Sequence, residues 1–273
     1  TTEIYTLSLH DALPISVDVD KVGIPLRTLR SLNLDGHLHV GQFTLLGAKA
    51  TDFDMGVSAH SGLVHITPLD ASLYGGSVEG ELQVDAGNDS PVVAEELKFK
   101  GVQLAGLAQD LAGSDRIAGT VDLDTATRAL GRTVGELRHT LNGHMSYTIK
   151  NGVLGGVNLW DAVVRAYADR QHLAAPMPAA QQTHFAYLHG SARITRGVLF
   201  DRNFTAVLPF LSVAGSGKLD FAELTVDYAL TGRVTGLPRS GAPDLSGLKG
   251  LSFPIHMTGT LANLSVRPEL GKK

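Results

Sequence analysis

Residues 78–85 read VEGELQVD, and this short stretch decides the fold class. Apolar or small residues alternate there with polar ones: the first set is Val78, Gly80, Leu82 and Val84, and the second is Glu79, Glu81, Gln83 and Asp85. Because successive side chains of a β-strand point to opposite faces, this spacing gives a strand with one apolar and one polar face. Such a strand is typical of antiparallel sheet, since parallel strands are buried on both faces and read as continuous apolar runs.

The same alternation recurs along the chain, in most cases beginning at a glycine, at residues 34–40, 119–124, 143–149, 190–194, 217–221 and 255–261. The glycines are irregularly spaced, which excludes a solenoid or propeller of fixed period. They fall on the apolar side of the strands, where glycine indicates bulges or bends that let a sheet curl. The sequence therefore predicts a mainly β protein: a long, curled, antiparallel, amphipathic sheet, half-open as a trough or sandwich-like, with about three short helices.

Local signals predict where the strands turn and where helices interrupt them. Asn151-Gly152 lies between two strand-like segments and predicts a two-residue hairpin, and residues 221–224 predict a second tight reversal. Thr133 and Glu136 have the spacing of a capping box. Leucine and other apolar side chains at helical spacing predict helices over residues 104–111, 134–141 and 159 to about 172.

The composition excludes several classes of protein. The chain has 273 residues, of which 43% are hydrophobic and 18% charged, so it is too apolar to be disordered throughout. It has no cysteine, which excludes a disulfide scaffold. The 23 Lys and Arg residues are balanced by 27 Asp and Glu residues without a basic stripe, so nucleic-acid binding has no support. The apolar runs are also shorter than the roughly 18 residues of a membrane span.

The first sixteen residues, TTEIYTLSLHDALPIS, have neither the strand nor the helix pattern of the rest. They resemble the translation of sequencing-adapter read-through at the end of an open reading frame predicted from environmental DNA. We expect residues 1–16 to be non-native; the alternative is an ordinary N-terminal extension. Residues 17–267 are then expected to form one β-rich region, with a sub-boundary near residues 125–135 and a tail at residues 268–273, as a fragment whose own beginning is missing.

The sequence offers no catalytic constellation. Residues 215–218 (GSGK) are similar to a phosphate-binding loop, but Leu219 stands where such a loop needs a hydroxyl residue. His37 and His39 share a strand face, yet no further ligand follows at metal-site spacing, so a solvated surface is the preferred interpretation. We therefore predict a protein that is not an enzyme, with no catalytic residue, no metal site and no cofactor.

Two segments resemble conserved segments of a known family. Residues 71–77 (ASLYGGS) and residues 141–159 (LNGHMSYTIKNGVLGGVNL) resemble the LYGG and LNG segments of the AsmA family. The residues that carry the resemblance are Leu73, Tyr74, Gly75, Gly76, Leu141, Asn142, Gly143 and Gly152. The resemblance to the AsmA family extends over about residues 30–267. The chain also resembles, more distantly, the TamB-like bridge-type lipid transfer proteins. Asn151 stands where the family more often has an acidic residue, and both suit a turn.

The resemblance implies a function and a location. AsmA-like proteins are envelope proteins of Gram-negative bacteria, so it implies a periplasmic body tethered to the inner membrane by an N-terminal anchor that these residues lack. It also implies that the protein binds or conducts phospholipid along a hydrophobic β groove and supports outer-membrane assembly or homeostasis. The implied partners are phospholipid or another apolar ligand and other envelope proteins, with no nucleic acid.

The remaining question is what covers the apolar face of so long a sheet. The candidates for a lipid-lined face are Leu82, Val84, Val121, Leu123, Leu219, Phe221, Val226 and Tyr228. An open face of this size exceeds the apolar patch that a monomer usually exposes and would mark a ligand or partner. The alternative is an ordinary core that closes on itself, which would make the protein a structural or interaction scaffold without lipid transfer.

Overall fold

The computed structural model describes residues 18–45, 47–114, 116–174, 177, 179–238, 244–260 and 263–270. Within these residues, thirteen β-strands form one antiparallel sheet in which every strand pairs with its neighbours in sequence. The first and last strands each pair on one side, so the sheet is open. The predicted fold class, a mainly β antiparallel sheet with short helices, is confirmed. Residues 1–17, which include the segment predicted to be non-native, lie outside the described part.

The strands are long, most of them having ten or more residues. They are β1 (Leu34–Leu45), β2 (Ala48–His60), β3 (Leu63–Leu73), β4 (Gly76–Asp85), β5 (Val92–Gln103), β6 (Ile117–Leu130), β7 (Asn142–Gly155), β8 (Gln182–Thr195), β9 (Val198–Val207), β10 (Leu211–Asp220), β11 (Thr225–Val234), β12 (Ser252–Thr260) and β13 (Asn263–Pro268). The predicted sub-boundary near residues 125–135 falls at the end of β6, and the sheet continues across it through the β6–β7 ladder.

The described α-helices are α1 (Leu26–Ser31), α2 (Leu104–Ala112), α3 (Val134–Thr140) and α4 (Leu159–Gln171), and short 3₁₀ turns lie at Val19–Lys21 and Ser246–Leu248. The three helices predicted from the sequence are α2, α3 and α4. The first helix, α1, was not predicted. Its six residues follow Pro25 without a side-chain cap, so it has too few turns to give a periodic signal.

The capping residues explain where α3 and α4 begin. The hydroxyl of Thr133 accepts a hydrogen bond from the backbone N–H of Glu136 at 3.2 Å. The side-chain oxygen of Asn158 accepts one from the N–H of Asp161 at 2.9 Å. Each bond satisfies a donor that has no partner inside the helix, which is the reason for the preference for Thr and Asn at this position.

The hairpin predicted at Asn151-Gly152 is wrong, whereas the reversal at residues 221–224 is confirmed. β7 continues through both residues, and Asn151 has a φ of +51°. Two residues of β7 lie there between paired positions where β6 has only one, so the feature is a β-bulge. A bulge and a tight hairpin both require a residue with positive φ, which Asn supplies, and continuous pairing with β8 keeps the strand from turning back.

The C-terminal half of the sheet curls. Ile117 of β6 and Leu264 of β13 line the same cavity although seven strand positions separate them. In a flat sheet that separation would be about 34 Å at the usual spacing of about 4.8 Å per strand. Gly217 illustrates how the backbone permits the packing inside the curl: a Cβ atom there would lie 2.2 Å from the ring of Tyr228, so the ring needs glycine beneath it.

Most of the buried apolar residues belong to three groups on one face of the sheet. The N-terminal cluster consists of Leu69, Ala71 and Val78, and the middle cluster consists of Ala192, Ile194 and Leu199. The C-terminal core is larger and joins α4 to β8–β12; its members include Leu159, Val163, Val164, Phe204, Leu211, Val213, Leu230, Leu248, Phe253 and Ile255. The core is therefore concentrated under the curled half of the sheet.

Candidate functional site

The cross-strand register extends one apolar row across eight strands. The row consists of Val102, Val121, Ile149, Leu188, Ala206, Val213, Gly232 and Phe253, each paired with the next from β5 to β12. Paired residues project from the same face of a sheet. The alternation read from the sequence therefore adds up, strand by strand, to an apolar row on one face of the sheet, which we call the apolar face. In β5 and β6 this face also carries a polar group, because Glu95, the register partner of Leu82, accepts hydrogen bonds from Thr125 and Thr127.

The structure places the predicted lining residues on this face but does not bring them into one groove. Leu82 packs against the N-terminal cluster, and Phe221 packs against the middle cluster. Leu219 contacts both the middle cluster and the C-terminal core, to which Val226 and Tyr228 belong. The other three belong to none of these groups and are placed by their register partners: Val84 pairs with Val93, Val121 with Val102, and Leu123 with Phe99.

Exposure along the apolar face varies from one position to the next. Val226 and Tyr228 are each 6% exposed, so at the curled end the face is a closed core. Leu82, Val84 and Leu123 are half-buried and remain accessible to solvent or to a ligand. The two interpretations left open by the sequence thus apply to different positions of one surface. The face is packed core towards β13, and around β4–β6 half-buried residues lie among buried ones, since Val78, Val102 and Val121 are 8%, 1% and 8% exposed.

Helix α4 closes the curled end. Leu159, Val163, Val164 and Ala168 are its buried residues. At its first turn, the N–H of Leu159 donates to Thr183 Oγ1 at 3.0 Å. At its last turn, Arg170 Nη1 donates to the carbonyl of Leu270 at 3.0 Å. The helix is therefore fixed to β8 at one end and to the chain beyond β13 at the other.

A cavity of about 270 Å³ remains inside the curl, and we call it the C-terminal cavity. Its lining comes from β6 to β13 together with Leu159, the first residue of α4. Almost all of the lining side chains are aliphatic or aromatic, and the residues with polar side-chain atoms are Thr183 and Tyr228. Of the predicted lining residues, Leu219, Val226 and Tyr228 line this cavity.

A buried polar cluster interrupts the apolar face beside the cavity. Asp201 is only 1% exposed and accepts hydrogen bonds from the hydroxyl of Tyr147 and from the N–H of Asn203, the latter at 3.0 Å. Burial raises the pKa of Tyr147, and burial together with the charge of Asp201 raises the pKa of Tyr228 to about 12. Gly190 leaves room for the cluster, since a Cβ atom there would lie 2.5 Å from the hydroxyl oxygen of Tyr147.

The sequence did not single out this cluster. One feature of the sequence could have indicated it. Asp201 lies in β9 between Leu199 and Phe204, on the face where the alternation predicts an apolar residue.

The opposite face of the sheet is polar and carries exposed ion pairs. Lys100 donates to Glu79 at 2.7 Å, and Lys150 donates to Asp122 at 2.8 Å. These hydrogen bonds lower the pKa of both carboxyl groups. A shallow depression of about 680 Å³ on this face is lined mainly by charged and polar side chains. The arrangement is that of a solvated surface, which keeps a one-sided apolar sheet soluble along its other side.

The histidine pair lies on the same polar face. His37 and His39 both approach Asp54, at 3.0 and 3.6 Å, and all three side chains are well exposed. Among the residues that the structure describes, no group of three or more His, Cys, Asp or Glu side chains is arranged to hold a metal ion.

The first family segment builds a turn and anchors a helix. Tyr74 (φ +45°) and Gly75 (φ +78°) form the turn between β3 and β4, which Leu73 and Gly76 close by pairing. The hydroxyl of Tyr74 donates to Asp110 of α2 at 2.7 Å. Burial raises the pKa of Tyr74, and its hydrogen bond lowers the pKa of Asp110. Tyr74 therefore holds α2 against the sheet.

The second family segment has a similar structural role. Asn142 accepts a hydrogen bond from the N–H of Arg196 at 3.1 Å and donates one to the carbonyl of Thr140 at 2.6 Å. The carbonyl of Leu141 accepts from the N–H of Gly197 at 2.9 Å. Gly143 pairs within the sheet, and Gly152 lies against the ring of Phe185. The segment thus ties α3 and β7 to the β8–β9 turn.

Fold and surface together define a class: an open antiparallel sheet with one solvated face and one apolar face that ends in an apolar cavity partly open to solvent. In the part of the chain that the structure describes, no helix is both long and apolar enough to cross a membrane.

The AsmA family model matches residues 19–204, which is more than half of the chain. The chain belongs to the AsmA family, as the LYGG and LNG segments predicted, and at the level of the family it is an envelope-associated protein. Comparisons with curated proteins and with solved structures gave no significant match.

Proposed function

We propose that this protein is a non-enzymatic envelope protein that binds or conducts phospholipid along the apolar face and thereby supports outer-membrane assembly or homeostasis. The observation that carries the proposal is the apolar row that runs unbroken from Val102 in β5 to Phe253 in β12. Family membership supports the envelope setting. The proposed location is the periplasm, with a tether to the inner membrane supplied by the full-length protein.

The chemistry of the surface suits a lipid. Acyl chains require apolar contacts, and half-buried residues such as Leu82 and Leu123 offer contacts that are still accessible. Glu95, which lies beside Leu82 in the register, has its carboxylate engaged by Thr125 and Thr127. The opposite face, with its ion pairs, stays in water. The proposed partners are therefore phospholipid or another apolar ligand, together with envelope proteins; we propose no role for nucleic acid, metal or cofactor.

The closed C-terminal core favours the second candidate, a structural scaffold without lipid transfer. Leu211, Leu248 and Ile255 are almost completely buried there, as in an ordinary core. The two functions differ in what they require of the half-buried residues around β4–β6. A scaffold needs them only for packing, whereas a lipid-binding protein needs them as a contact surface.

A polar substitution on the accessible part of the face separates the two candidates. We expect Leu82→Asn to lose most of the phospholipid that co-purifies with the protein, because it places an amide on the lipid-contacting surface. Leu82 is half-buried, so the free energy of unfolding should fall by only about 1 kcal/mol. Native mass spectrometry gives the lipid content, and urea denaturation gives the stability.

Gln83→Asn is the matched control, since Gln83 is the next residue of β4 and is exposed on the opposite face. It should change neither quantity. A Leu82→Asn protein that is folded and retains its lipid contradicts the proposal, and one that unfolds supports a simple core.

A further inference from the structure

The C-terminal cavity is a space that the fold itself does not fill. It has a volume of about 270 Å³, is partly open to solvent and lies between β6 on one side and β13 on the other. Protein interiors are normally packed to crystal-like density, and voids larger than a water molecule are few. An unfilled space of this size deprives its lining side chains of contacts, so an occupant that restores them is favoured.

The polar atoms of the lining are already engaged by the protein. The hydroxyl of Thr183 donates to the carbonyl of Val157 at 2.8 Å and accepts from the N–H of Leu159 at 3.0 Å. The ring of Tyr228 lines the cavity, while its hydroxyl belongs to the cluster of Tyr147 and Asp201. A buried water needs two to four polar partners, which this lining does not offer. The cavity therefore suits an apolar occupant.

The cavity continues the apolar face. Within the apolar row, Ile149 is followed by Leu188, Ala206 and Val213, and the last three line the cavity. Leu219 also lines it while packing against the middle cluster. A hydrocarbon chain lying on the apolar face would thus reach the cavity without crossing a polar strip along this row.

The wall of the cavity also selects which part of a lipid can enter. Asp201 lies behind the ring of Tyr228, across Gly217 in the register, and is almost completely buried. A phosphate or carboxylate group brought into the cavity would lose its hydration and approach this carboxyl group. A hydrocarbon end carries no such penalty.

We infer that the C-terminal cavity is a binding site for the methyl end of one acyl chain of a lipid whose headgroup stays outside. This inference rests on the proposed function and specifies one site within it.

The single tryptophan provides a direct test. Trp160 is the only tryptophan of the chain, lies in the first turn of α4 and packs against the C-terminal core. The protein is loaded with phosphatidylcholine from vesicles in which one acyl chain is brominated either near its methyl end or near its carboxyl end. Because bromine quenches tryptophan fluorescence only at short range, the methyl-end label should quench Trp160 strongly and the carboxyl-end label weakly.

A variant that fills the cavity provides a second test of the same site. Ala206 is buried and lines the cavity, so Ala206→Leu should occupy the space and remove most of the methyl-end quenching. Ala214→Leu is the matched control, since Ala214 is the exposed neighbour of Val213 in β10. It should leave the quenching unchanged. Circular dichroism checks that both variants are folded, and the depth dependence in the unaltered protein tests the site even if Ala206→Leu fails to fold.

The outcomes separate the site from the function on which it rests. In one outcome the labelled lipid binds with about one molecule per chain while the two bromine positions quench Trp160 equally, or neither quenches it. That result overturns the acyl-chain site and leaves the proposed function intact. A protein that takes up no lipid from either vesicle overturns both.

Discussion

Asp201→Ala should lower the free energy of unfolding by about 3 kcal/mol, because it leaves the buried hydroxyl of Tyr147 and the N–H of Asn203 without their acceptor. Urea denaturation should show a lower midpoint with an unchanged slope, which indicates lost stability rather than a changed unfolded state.

Asp227→Ala is the control for this substitution. Asp227 lies on the polar face of β11, where it is 61% exposed and pairs with Lys218 at 3.5 Å. An exposed ion pair contributes little, so this variant should lie within about 0.5 kcal/mol of the unaltered protein. Equal stabilities of the two variants would mean that the Tyr147–Asp201 hydrogen bond does not stabilise the curl.

The stability of the protein should also fall steeply above pH 10. The pKa of Tyr228 is raised to about 12 and that of Tyr147 is raised as well, while an unfolded tyrosine ionises near pH 10. Between these values the unfolded chain releases protons that the folded protein keeps. Below pH 10 the stabilisation is fully present, and above it each of the two tyrosines should remove about 1.4 kcal/mol per pH unit.

Chemical denaturation at several pH values between 9 and 11.5 measures this slope. Tyr147→Phe cannot ionise at that position and should reduce the slope by the contribution of one tyrosine, about 1.4 kcal/mol per pH unit, whatever its effect on the stability at neutral pH. A stability that stays level from pH 10 to 11.5 would contradict the assignment of Tyr147 and Tyr228 as buried, neutral groups.

The alternation of apolar and polar residues predicts most of this fold because it depends only on the pleat of a strand. VEGELQVD could be assigned one apolar and one polar face without knowing its neighbours, and β4 has this arrangement. The capped helices α3 and α4 were predictable for the same reason, since Thr133 and Asn158 act within one turn.

The features that escaped prediction depend on the rest of the sheet. Asn151-Gly152 satisfies the local requirements of a hairpin and of a bulge equally, and only the pairing of β7 with β8 decides between them. How far the sheet curls decides which apolar residues become core. Tyr228 and Leu82 have the same pattern in sequence, yet the first is buried and the second is half-exposed.

The predicted lining residues illustrate the same division. The sequence pattern assigned all eight predicted lining residues to one face of the sheet. It could not show which of them line the C-terminal cavity and which lie on the more accessible part of the face. Asp201 shows the limit most clearly, because a lone carboxylate in a strand gives no indication that Tyr147, fifty-four residues away, donates a hydrogen bond to it.

Native mass spectrometry combined with lipid extraction tests the central claim most directly. The chain is directed to the periplasm of a Gram-negative host, purified without lipid-stripping detergent, and weighed intact. We predict phospholipid bound at close to one molecule or more per chain and released on unfolding. A monodisperse, folded protein that carries no lipid would contradict it and would leave the scaffold as the function of this sheet.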